Sequence, residues 1–201
     1  MHVIRCGLLV VCLLPACVAA EDSHSPSTGS AVFACMQSET FVMGGVLLSG
    51  EKAASQLFER IGVELHWSCQ HHPGILIRLA PRAPRNFRKG TLAYALPFAR
   101  EGVRVTVFYD RLEPILEEHL SFAGNILGHV LAHEIGHVLE RVDSHAQTGL
   151  MRAHWTEKEF AEMRLSLFDF APDDAQFIHE RVVDSWVHAE PTDSLKLMRH
   201  T

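Results

Sequence analysis

The segment His133-Glu134-Ile135-Gly136-His137 sets two imidazoles four residues apart, with a carboxylate beside the first. On a helix four residues advance about 400° and rise about 6 Å, so both rings project from one face toward one ion. Glu134 points off that axis. It is badly placed as an equivalent third ligand and well placed to take a proton from a water that a zinc ion has acidified. Such a pair of ligands with a base beside them suits the attack of water on a carbonyl. The chain carries 14 histidines, so chance spacings are commoner than usual and the surrounding helix has to support the reading.

Residues 126–142 contain no proline and read as one continuous helix. Leu127, Leu131, Ile135, Val138 and Val142 fall in a single arc opposite His133 and His137. A helix so patterned packs on its apolar side and offers both histidines to a cleft. His129 lies on the same stripe but about 12 Å along the axis from His137, too far to share the ion, and reads as a hydrogen-bonded or cleft-lining residue.

A catalytic zinc site takes three protein ligands, and the third must come from beyond the helix. His145 is the first choice, in a loop that ends Thr148-Gly149-Leu150-Met151, where a methionine can pack beneath the ligands. At this point the sequence resembles the metzincin metallopeptidases, whose pattern is H-E-x-x-H-x-x-G-x-x-H followed by a turn with a methionine. Glu140 stands at their glycine place and Asp143 at their last histidine place, so His145 comes two residues late and implies a longer loop. The elements also resemble a group of small exported bacterial proteins carrying H-E-I-x-H, then H-S-x-T-G-x-M and a tryptophan, here Trp155. Asp143 and Glu157 remain alternatives for the third ligand. The first occupies the usual metzincin place, and the second has a spacing that resembles the thermolysin-like gluzincins.

The elements needed to position these residues follow from periodicity. Ala54, Leu57, Phe58 and Ile61 recur at helical spacing, and Val63, Leu65 and Trp67 alternate as a strand does. Residues 75–79, 92–96 and 103–109 are further strand candidates. Thr156 with Glu159 forms a capping box that opens a helix, and Pro172 with Asp173 and Asp174 starts the last one, through Ile178, Val182 and Trp186. This order predicts an α+β fold, which the resemblance makes metzincin-like: a small twisted mixed sheet, a central zinc-bearing helix and C-terminal helices. In that fold residues 92–96 form the sheet edge along which an extended peptide substrate binds.

Residues 1–20 have Arg5, an apolar run too short to span a bilayer, and small residues ending at Ala19 and Ala20, the pattern of a secretory signal peptide. Lipid attachment at Cys17 is the rival, and Pro15 beside the processing point argues against it. Residues 21–30 read as a flexible leader, 31–189 as one domain and 190–201 as a polar tail. Cleavage near Ala20 leaves Cys35 and Cys69, which in an exported chain suggests one disulfide. The formal charge of −6, with no long basic block, argues against nucleic acid as a partner. The function expected is therefore a secreted or periplasmic zinc peptidase with Glu134 as base and His133, His137 and His145 as metal ligands. The alternative is an exported zinc-binding or interaction protein that does not turn over, on which a base beside the metal would have no use.

Overall fold

A computed structural model gives the fold and describes residues 30–70, 74–99 and 102–187. The signal segment, Cys17, most of the leader and the polar tail lie outside the described residues. Strand β1 (Ser30–Ser38) leads to helix α1 (Gly44–Glu59), then β2 (Val63–Trp67), β3 (Ile75–Ala80), β4 (Ala93–Ala95) and β5 (Val103–Phe108). Helix α2 (Tyr109–Glu118) and a short 3-10 turn precede α3 (Ala123–Glu140), which is followed by α4 (Glu157–Arg164) and α5 (Pro172–Val187).

The five strands form one mixed sheet in the order β2-β1-β3-β5-β4. The first four in that order run parallel, and β4 pairs antiparallel to β5 at the edge. Tyr94 sits opposite Thr106, and Leu92 and Leu96 extend the pairing through Phe108 N–H to Leu92 O at 2.8 Å and Leu96 N–H to Arg104 O at 2.6 Å. The outer side of β4 has no strand partner among the described residues.

Alternation places Val63 and Leu65, Ile75, Ile77 and Leu79, and Val105 and Val107 in a core closed by α1 and α3. Those two helices pack at unusually short range because small residues meet: Ser49, Gly50 and Ala53 of α1 against Gly124 and Gly128 of α3. The intimacy makes α3 the centre of the molecule. It is buried on nearly every side, with only Asn125 and Leu139 half-buried. This departs from the one-sided helix that its apolar arc suggests. A helix wrapped by α1, the sheet and the returning C-terminal chain needs no solvent face.

Cys35 in β1 and Cys69 just past β2 form a disulfide, as their count predicts, with a sequence separation of 34. It ties two neighbouring parallel strands whose connection runs through α1. In the chain-entropy view a loop of this size contributes about 4 kcal/mol through the unfolded state. The Cys35→Ser/Cys69→Ser variant should therefore lose about that much in denaturant unfolding, and a loss below about 1 kcal/mol would contradict the cross-link's role. No helix among the described residues is long and apolar enough to cross a membrane.

Candidate metal centre

His133 and His137 of the central helix are buried, and their orientation is set by backbone carbonyls. Nδ1 of His133 donates to Leu150 O at 2.8 Å, and Nδ1 of His137 donates to Val142 O at 3.1 Å. With those protons so placed, each Nε2 carries a free lone pair, and the two Nε2 atoms stand only 3.1 Å apart. Two acceptors facing each other are repulsive unless a cation lies between them. A tetrahedral zinc with Zn–N bonds of about 2.0 Å holds its nitrogens about 3.3 Å apart, close to what is seen here.

His145 comes to the same place from the loop. Ligand atoms of His133, His137 and His145 all lie within 4.8 Å of one another, so the three can hold one metal ion. The His145 ring centroid is 5.3 Å from that of His133 and 4.9 Å from that of His137. Neither Asp143 nor Glu157 is part of this group. Asp143 is exposed and favours the charged forms of His137 and His145 by its own charge. Glu157 is exposed in the first turn of α4, where the helix dipole favours a carboxylate.

The turn that returns the chain differs from the expected one. A helix continuing to Val142 before turning would have avoided forcing Glu140 into a left-handed conformation. Instead α3 ends at Glu140, and Arg141 takes the left-handed conformation at φ 56°. That costs a non-glycine residue about 1 kcal/mol. It is offset because the Arg141 N–H caps His137 O and the turned chain presents Val142 O to the His137 ring.

The loop behind the histidines is locked from several directions. Gly149, at φ +69°, lies so close to Ala171 that a Cβ would sit 2.5 Å from its backbone nitrogen. Leu150 N–H donates to Asp169 O at 2.8 Å, while Leu150 O receives both the His133 ring and the Trp155 indole, the latter at 3.3 Å. Met151 is 1% exposed and packs against Gly136, the residue between the two histidine turns. Arg152 pairs with Glu159 at 2.5 Å, and Glu159 completes the predicted capping box on Thr156. Trp155, a tryptophan of the motif with no role legible from sequence, sets its edge against His133 at 5.6 Å between centroids.

Electrostatics follow burial. Desolvation, and after it the neighbouring imidazoles, hold His133 down to about 3, and desolvation followed by His145 holds His137 down to about 4. Both rings are therefore neutral at pH 7, the form a metal needs. Burial alone pushes the Glu134 carboxyl up to about 8. The carboxyl therefore keeps its proton near neutral pH, because desolvation disfavours its charged form.

His129, Tyr94 and His154 lie outside the ligand group. His129 is buried with its ring nitrogens 2.7 Å from Asn125 O and 3.0 Å from Phe168 O, away from the three histidines. Tyr94 packs on Phe87 and Phe108, and His154 is exposed but near enough to His145 to disfavour its charged form.

No protein-family model and no curated protein matches this chain. Among solved structures the chain is similar to an archaemetzincin from Methanopyrus kandleri, at 14% identity and a TM-score of 0.49, over 78% of this chain and 98% of that one.

Proposed function

We propose that this chain is an exported zinc-dependent peptidase of metzincin-like architecture, with His133, His137 and His145 as ligands and Glu134 as general base. The observation that carries the reading is the convergence of three imidazoles within 4.8 Å beside a buried carboxylate from the same helix. Zinc bound there would polarise a scissile carbonyl and acidify water.

The remaining work falls to the chain's own side chains. Leu150 O and Val142 O fix the two helical imidazoles in the tautomer that leaves Nε2 free. Glu134, buried on the same helix, takes a proton from the attacking water and returns it to the leaving amine. The free side of β4 offers backbone groups to an extended substrate as an added strand, which orients the bond to be cut. Packing of α3 against β4 keeps that edge beside the histidine helix.

Purified mature chain should cleave an unstructured peptide library in a reaction abolished by a chelator and restored by zinc. Absence of cleavage by protein with a full complement of zinc would favour the non-catalytic alternative. Export belongs to the same proposal. N-terminal sequencing of the mature protein should begin within a few residues of Glu21, and a lipid-modified Cys17 at the terminus would replace a released protein by an anchored one.

A further inference from the structure

Beside His145 the structure has a cavity of about 380 Å³ whose wall includes Glu140 at the end of α3 and Asp174 in the first turn of α5. Glu140 is 5% exposed, yet its Oε1 has no hydrogen-bond partner, and Oδ2 of Asp174 is likewise buried without one. Burial, and after it the charge of Asp174, push the Glu140 carboxyl up to about 7. A buried carboxylate without a partner is costly, and two that repel are costlier. Such an arrangement is relieved by a proton or by a cation that arrives from outside.

The shape of the site distinguishes which cation. The three histidines are the group whose ligand atoms lie within one ion's reach among the described residues, and Glu140, Asp173 and Asp174 form no such cage. The cavity is also far larger than a desolvated ion. Val142, Ala146 and Phe177 give it apolar walls, suited to a methylene stem that ends in a charge. His145 contributes to both the cavity and the histidine cluster, so the cavity adjoins the position where a peptide bond would be cut.

We infer that this cavity receives a lysine or arginine side chain of a peptide substrate, next to the scissile bond, with Glu140 and Asp174 as its counter-charges. The inference rests on the peptidase reading for its place beside the cut bond, but not for the binding itself.

The test is therefore run on zinc-loaded and on metal-free full-length mature protein. Nα-acetyl-lysine methylamide and its norleucine isostere are titrated separately, with backbone amide shifts of residues 142–146 and 173–177 as the readout. The lysine compound should move these resonances and bind at least about tenfold more tightly than the norleucine compound, the least expected of one charge-assisted hydrogen bond. Glu140→Gln should bring that ratio toward one. Asp174→Asn, at a half-buried position that tolerates change, should do so too and serves if the first variant folds poorly.

Equal affinities, a ratio untouched by a folded variant, or lysine shifts confined to other residues would overturn the inference. So would calcium producing the same shifts while displacing the lysine compound, which would make the cavity a metal site. Lysine preference in the metal-free protein stands even if zinc-dependent cleavage fails, and cleavage with no preference for basic residues sinks this inference while leaving the peptidase reading in place.

Discussion

Glu134→Gln should leave zinc affinity within a few-fold of the unaltered protein while lowering peptide cleavage at least about a hundredfold, the loss expected on removing a general base. Glutamine keeps the shape of the side chain and cannot accept the proton. The separation of binding from turnover is what identifies a base rather than a ligand. Unchanged turnover would exclude Glu134 from the reaction, and loss of zinc would make it part of the coordination. The metal-free protein adds a second readout with a definite sign. The folded-state pKa of about 8 lies above the ordinary value of 4.5, so Glu134 detracts from stability progressively as pH rises through that interval. Without metal, Glu134→Gln should therefore match the unaltered protein near pH 4 and become the more stable of the two toward pH 8. Thermal unfolding of the two proteins across that range would show it, and a constant difference in melting temperature would contradict the burial of the carboxyl.

The second large effect is structural. A Cβ on residue 128 would stand 2.5 Å from the Cβ of Ala53, 2.8 Å from Gly50 O and 3.0 Å from Ala54 N. The last two are backbone atoms, which cannot move aside as a flexible side chain can. Gly128→Ala would have to push α1 and α3 apart, and overpacking of this kind costs about 3 kcal/mol. Alanine's better helix propensity returns about 1 kcal/mol, so a net loss of about 2 kcal/mol is expected in denaturant unfolding. Separation of the helices also shifts His133 and His137 relative to His145, which belongs to the loop. Zinc affinity should fall with stability even though residue 128 touches no ligand. A variant as stable as the parent would mean that the two helices have room the structure does not show.

Much of this arrangement was legible because it depends on local pattern. The helix bearing His133 and His137, the capping box on Thr156, the helix opened by Pro172 and the short strand around Tyr94 all follow from spacing within a few residues, while the place of that strand at the edge was what the resemblance implied. The pairing of Cys35 with Cys69 followed from counting. Strand β1 was not assigned, although it is an interior strand of the sheet, between β2 and β3. Its core-facing positions include Val32 and Ala34, and small residues with a cysteine and a methionine give little strand signal. The first two turns of α1 were lost for a similar reason, since Gly44, Gly45 and Gly50 are poor helix formers and two of them have open space around them. Their place in the helix is fixed by packing on α3.

The return of the chain after His137 was legible only in outline. Periodicity carried the helix to Val142, whereas the left-handed Arg141 ends it earlier through hydrogen bonds that no propensity records. The partnerless carboxyl oxygens of Glu140 and Asp174 on one cavity were out of reach altogether. They belong to different helices, and Glu140 drew attention only as the occupant of a glycine place.

The most direct test of the central claim is a competition titration of zinc against a chelator, with the unaltered chain, His145→Ala, Asp143→Ala and Glu157→Gln measured side by side. The account predicts that the unaltered chain binds a single zinc ion and that His145→Ala weakens it at least about tenfold, as loss of a zinc ligand should. Asp143→Ala should change affinity little, acting only through the charge it places near His137 and His145, and Glu157→Gln should act on α4 alone. Undiminished affinity in His145→Ala, with loss in either of the other two, would contradict the account.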